Sequence, residues 1–187
     1  MGIPHSLTNH FLIAMPSLED PNFQRTVTYI CEHNDNGALG IVINRPSEVT
    51  LGELLQHMDL NPIESGTAAL PVYLGGPVQR ERGFVLHSAR LSWESSLQVS
   101  DDIAISTSRD ILAAIAAGEG PEHYLVALGY AGWGGGQLEE EMAQNAWLSG
   151  PADPAIIFQR SNDERWQAAA SLLGVDLRLL SSDAGHA

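Results

Sequence analysis

The order of segments predicts an α+β fold on a mixed, largely antiparallel sheet. Three observations point there. β-type segments crowd the first half of the chain, helical patterns enter later and irregularly, and no steady strand–helix alternation marks a parallel sheet. Strand-forming runs on either side of Asn36-Gly37 give a strong hairpin signal. With hairpins this close in sequence, the sheet can curl into a partial barrel.

Each element follows from local chemistry. Residues 11–15 form an apolar run stopped by Pro16, a buried strand, and residues 17–22 read as a loop. Residues 26–33 are rich in Thr, Val, Tyr and Ile and read as a strand, followed after the turn at 34–37 by a second strand over 38–44. Thr50 and Glu53 make a capping box ahead of Leu54 and Leu55, so a short helix runs over 51–58. Residues 71–74 and 83–87 read as strands flanking a Gly75-Gly76-Pro77 turn and a charged connection, Arg80-Glu81-Arg82. Residues 103–107 alternate as a strand, and Ser108 caps a helix ending at Ala117 before Gly118. Residues 124–130 suit a central strand, and residues 132–136 read as a tight glycine-rich turn. A helix over 137–145 carries Glu139, Glu140 and Glu141 near its N-terminus, which suits the helix dipole. Trp147 belongs to a short return strand. Asn162 or Asp163 caps a last helix to Leu173, closed by Gly174.

Composition bounds the class. There are 187 residues, with 23 Asp+Glu against 9 Lys+Arg, for a net charge of −14. All nine cations are arginines, so chemistries that need a lysine Schiff base or a phosphate-loop lysine are excluded. The 44% hydrophobic content supplies a core, and the length fits a single domain spanning 1–187. The acid is concentrated in residues 94–187, with fourteen acids and four arginines, against nine and five in residues 1–93. Such a field repels nucleic acid and anionic membranes, so neither is expected as a partner. The mean hydropathy is −0.05, no apolar run reaches the length of a membrane span, and the first ten residues do not read as a secretory signal. With Cys31 as the lone cysteine, a reducing cytoplasmic location is the expectation.

The zincin, nucleophile-elbow and dinucleotide-binding patterns are absent. Cys31-Glu32-His33 places thiol, carboxylate and imidazole in a row. Strand alternation would put Cys31 and His33 on one face, where a metal needs further ligands from elsewhere. The favoured reading is a buried small cysteine beside a strand-end histidine that bonds a turn, with no metal or other cofactor. Arg45, Arg82 and His87 can line an anion pocket, although internal salt bridges account for these arginines more simply in so acidic a chain. After the glycine turn a helix N-terminus can hold an anion, but three glutamates follow at once, and a tight turn under a close backbone approach is preferred. The tryptophans, Trp133 included, read as core residues.

Several motifs together resemble the AlgH/YqgE family of bacterial proteins. They are residues 11–16 (Phe-Leu-Ile-Ala-Met-Pro), 20–23 (Asp-Pro-Asn-Phe), 32–34 (Glu-His-Asn) and 40–46 (Gly-Ile-Val-Ile-Asn-Arg-Pro). Gly75-Gly76-Pro77-Val78, residues 82–87 and 128–133, Gln137-Leu138-Glu139, residues 145–148 and the closing Gly185-His186-Ala187 complete the set. The resemblance implies a small cytoplasmic protein whose bifurcated sheet forms a pseudo-barrel flanked by helices. It also implies a regulatory role proposed in alginate production, with some members labelled transcriptional regulators. It carries over no catalytic residue.

The function expected is therefore a non-catalytic regulatory or binding protein acting through a protein partner or a small ligand. The candidate binding residues are Glu32, His33, Asn44, Arg45, Arg82, His87, Trp133 and Gln137. The alternative is an enzyme with a polar site around Glu32, His33, Asn44, Arg45, Arg82 and His87, at strand ends and turns where catalytic groups often lie. Direct DNA binding ranks last, because no basic face is available.

Overall fold

A computed structural model describes residues 6–89 and 93–183. Arg90 and the closing motif at 185–187 lie outside the described residues. The elements run β1 (His10–Ala14), β2 (Val27–Asn34), β3 (Gly37–Val42), β4 (Pro46–Thr50), α1 (Leu51–His57), α2 (Ser65–Ala68), β5 (Pro71–Leu74), β6 (Val78–Ser88), β7 (Ser96–Gln98) and β8 (Ile103–Ser106). They continue with α3 (Arg109–Ala116), β9 (Tyr124–Gly134), α4 (Gln137–Ala143), β10 (Trp147–Pro151), α5 (Pro154–Phe158), α6 (Asn162–Ser171) and α7 (Leu177–Asp183).

The ten strands form one sheet in the order β10-β1-β2-β3-β9-β6-β8-β7, with β4 and β5 off this path. Every pairing is antiparallel except β5 with β9. The long strand β9 is where the sheet divides. Residues 131–134 pair with residues 37–40 of β3, while Ala127 and Leu128 on the same edge pair with Tyr73 and Leu74 of β5. Its other edge is taken by β6. The sheet is thus bifurcated and curls into an open half-barrel that ends at β10 and β7.

Both faces of the sheet are covered, which is why its strands are apolar on alternate residues in two directions. Phe11, Ile13, Tyr29, Ile41, Phe84, Leu86 and Leu125 pack on one face against Ile157 of α5 and Ala170 of α6. On the other face, Val72, Val85 and Val126 meet Leu51 and Leu55 of α1 and Ile111 and Ile115 of α3. Leu12, Ile30 and Ala131 meet Leu138 of α4, with Trp133 and Trp147. Burying each such side chain contributes about 1.5–3 kcal/mol, so three clusters on one sheet suffice to order it.

The structure corrects several boundaries. The hairpin turn is Asp35-Asn36, with Gly37 already paired to Asn34 as the first residue of β3. Gly37 has φ 137°, and a Cβ there would stand 2.2 Å from the Trp133 carbonyl oxygen, so only glycine lets β3 meet β9. Arg80-Glu81-Arg82 is not a connection but part of the 11-residue β6, and the register shift between Val78 and Gly83 absorbs the irregularity. Gly132-Trp133-Gly134 lies inside β9, leaving Gly135-Gly136 as the turn. Thr50 caps α1 as expected, accepting from the Glu53 amide at 3.2 Å. Ser108 occupies the N-cap of α3 without capping it through its hydroxyl, which donates instead to Asp110. Ser161, not Asn162 or Asp163, is the N-cap of α6, and α7 follows it.

Candidate functional site

The site begins at a bulge in β2. Ile30 pairs with Gly40 and Glu32 with Leu39, so Cys31 is an extra residue with no partner in β3. A bulge breaks strict alternation and re-aims the side chains beside it. Cys31 enters the core cluster with Phe11 and Tyr29, while His33 turns to the opposite side, toward Leu7 and Glu139 of α4. The expectation that Cys31 and His33 share a face is thereby corrected. Burial pushes the Cys31 thiol far above its ordinary range, so it stays protonated and inert. Among the described residues no group of three or more His, Cys, Asp or Glu is placed to hold a metal ion.

Glu32 is the residue that the bulge delivers to the surface, and it lines two grooves. The larger has a volume of 530 Å³ and runs along Asn34, Asn36, Ala38, Tyr130 and Trp133. The smaller, 380 Å³, carries Arg82, Phe84, Glu94 and Ser96. Glu32 and Leu39 belong to both, so the grooves meet at the bulge. Arg82 stands over the Phe84 ring at 5.2 Å and donates to Gln79 Oε1 at 3.4 Å, leaving its exposed guanidinium free of any carboxylate among the described residues. Trp133 is 6% exposed, and its indole N–H donates to Glu141 at 3.1 Å. The same Glu141 oxygen accepts the Trp147 indole N–H at 3.0 Å, and its second oxygen accepts from Gln137 Nε2. Gln137 Oε1 in turn accepts the Gly134 amide at 3.0 Å. Gln137 and Glu141 therefore brace the wall that Trp133 presents, and Gln137 does not itself line either groove.

The other candidates lie elsewhere and are engaged in holding the chain. His33 Nδ1 accepts the Leu7 amide at 2.8 Å, which fixes the ring proton on Nε2, 3.4 Å from Glu139. Asn44 accepts the Val27 amide at 2.9 Å and donates to the Arg25 carbonyl, where the backbone is left-handed at φ 59°. Arg45 donates to the carbonyls of Pro21 and Gln24 at 2.7 and 3.1 Å, tying the loop at 17–25 to the start of β4. Partial burial lowers its pKa without threatening its charge. His87 is fully buried. Its Nδ1–H donates to the Ser88 carbonyl at 2.8 Å, so Nε2 accepts from the Ser106 hydroxyl at 2.7 Å, and Ser106 is bonded to Ser96 at 2.7 Å. Desolvation lowers the His87 pKa, and the ring is neutral at pH 7.

An anion pocket of Arg45, Arg82 and His87 therefore does not assemble, and of the six polar residues grouped as one site only Glu32 and Arg82 share a groove. The expected internal salt bridges are corrected as well. Arg45 and Arg109 bond carbonyls, Arg25 and Arg82 lie over rings, and only Arg178 pairs with a carboxylate, Asp176, among the described residues. Sequence reasoning missed Leu39, Tyr130, Phe84, Glu94 and Ser96 as groove residues, because each reads as an ordinary strand or loop residue until the bulge and the division of the sheet bring them together.

Comparison with known proteins places this architecture. A UPF0301 protein of Thioalkalivibrio sulfidiphilus is 61% identical over 187 residues, covering all of both chains. A UPF0301 protein of Nitrosococcus oceani is 57% identical over 96% of each chain. The solution structure of the AlgH protein from Pseudomonas aeruginosa matches with a TM-score of 0.80 at 54% identity, covering 100% of this chain and 99% of that one. A crystal structure of a Corynebacterium diphtheriae protein, 20% identical, shares the fold with a TM-score of 0.75 over 97% of this chain and 94% of its own. The AlgH-like family model matches residues 11–178, and the chain belongs to the AlgH-like family.

Proposed function

We propose that the protein is a non-catalytic binding protein of the cytoplasm that acts in regulation by holding a small ligand or a protein segment in the twin groove at Glu32. The observation that carries this reading is the bulge at Cys31, which sets one exposed carboxylate where two grooves meet, with Trp133 and Tyr130 in one and Arg82 in the other. Acid beside aromatic walls suits a cationic group, and the free guanidinium suits an anionic one. A zwitterionic compound, or an extended peptide segment with both charges, matches the two together. The polar side chains that would make a reactive cluster are instead spent on backbone contacts, which favours binding over catalysis. The net charge of −14 disfavours a nucleic-acid partner. Among the described residues no helix is long and apolar enough to cross a membrane.

Equilibrium dialysis against a defined mixture of amino acids, dipeptides and polyamines tests the reading. The wild type should retain at least one zwitterionic compound, and Glu32→Ala combined with Arg82→Ala should retain it about tenfold less. Equal retention by both proteins, or conversion of a retained compound, would contradict it.

A further inference from the structure

Arg165 lies in the first half of α6, yet its side chain turns inward, and the residue is only 5% exposed. A guanidinium taken out of water is unfavourable unless an anion or a full set of acceptors meets it. The chain has acids to spare, but among the described residues no carboxylate pairs with Arg165. Its Nε donates to the Ile156 carbonyl at 3.0 Å, in the middle of α5, and its Nη1 to the Ile43 carbonyl. One face lies 5.2 Å from the Tyr73 ring. These contacts fix the guanidinium but bring only partial negative charge. Nη2 has no hydrogen-bond partner among the described residues.

Arg165 also lines a cavity of 120 Å³. Its other walls include Leu51, Tyr73, Tyr124, Val126 and Ile157, and polar and apolar atoms share its surface in similar measure. The cavity shares no residue with either groove at Glu32. A buried, immobilised cation with one free nitrogen, lining a small chamber that also carries Leu51, Val126 and Ile157, is matched by a ligand with one anionic end and a short hydrocarbon end. A carboxylate accepts a charge-assisted hydrogen bond from a guanidinium N–H more strongly than a neutral group does. A phosphate dianion would leave one charge unmatched by the single guanidinium. The volume corresponds to about four water molecules at liquid density, which suits an acid of roughly four to six non-hydrogen atoms.

We propose that this cavity is a binding site for a short aliphatic monocarboxylate of the acetate-to-butyrate size. The carboxylate sits on Arg165 Nη2, and the alkyl end lies against Leu51, Val126 and Ile157. The site is separate from the groove at Glu32, so either can stand without the other.

Titration of ¹⁵N-arginine-labelled protein with sodium butyrate, butyramide and sodium chloride, followed at the Arg165 Nε–H resonance, tests this directly. Butyrate should move the resonance saturably, with half-saturation at about millimolar concentration. Butyramide should bind at least tenfold more weakly, and chloride at matched ionic strength should not move the resonance saturably. Arg165→Met should abolish the thermal upshift that butyrate gives the wild type. If that variant does not fold, the wild-type titration alone decides. No saturable shift with acetate, propionate or butyrate would overturn the proposal, as would equal response to butyramide or chloride, or an undiminished butyrate upshift in a folded Arg165→Met protein.

Discussion

Glu141 is the acceptor on which Trp133, Trp147 and Gln137 converge, at 3.1, 3.0 and 3.0 Å. An amide in its place has one acceptor atom and a second that can only donate. Glu141→Gln should therefore strand at least one donor and cost about 1–3 kcal/mol in chemical denaturation, with a changed tryptophan emission that reports the loosened wall of the larger groove. His87 gives a pH signature with a definite sign. Burial lowers its folded pKa below the ordinary 6.5, so below about pH 6.5 the unfolded chain takes up a proton that the folded one refuses. Its contribution is fully present above that value and is lost as pH falls toward the folded pKa. Between pH 7 and 5 the wild type should lose more stability than His87→Gln, by up to about 1.4 kcal/mol per pH unit, measured by urea denaturation at each pH. At this scale the sequence showed which residues were polar and placed near turns, but not which were free. Cys31 and His33 look like face-mates by alternation, and only the bulge, which has no compositional mark, separates them. Arg165 reads as an ordinary helix-surface residue among Asp163, Glu164 and Gln167, and nothing local announces that it points inward.

At the scale of elements, legibility followed length and pattern. β1, β2, β3, α1, α3 and α4 were readable because an apolar period, a cap or a turn pair marks each one. The strands β4 and β7 and the helices α2 and α5 have three to five residues each, too few to show a period, and β7 is exposed throughout. β6 and β9 are longer than their sequence pattern suggests, because charged and glycine residues normally punctuate strands. Here Arg80-Glu81-Arg82 runs along an exposed stretch, and the glycines let neighbouring backbones close in. A Cβ at Gly76, for instance, would stand 2.1 Å from the Tyr130 carbonyl carbon. Gly37 likewise has a positive φ and a backbone oxygen in the way. Gly37→Ala should destabilise by about 2 kcal/mol or more in thermal or urea unfolding and broaden the amide signals of residues 131–134, which pair across from it. A variant as stable as the wild type would mean that β3 and β9 do not approach as described.

For the molecule as a whole, charge and fold act separately. The division of the sheet at β9 creates both grooves, while the acidity sets what can approach them. Like charges at −14 repel within the compact state, and salt screens them over about 8 Å at physiological ionic strength. Raising sodium chloride from low to physiological concentration should raise the melting temperature by a few degrees, and duplex DNA should show no saturable binding at the same ionic strength. Binding at the groove beside the Cys31 bulge is tested by amide chemical-shift mapping with a compound retained in dialysis. Saturable shifts are expected at Glu32, Asn36, Ala38, Leu39 and Gly132, and they should vanish in Glu32→Ala with Arg82→Ala. Shifts confined to residues away from both grooves, or unchanged in that variant, would contradict it.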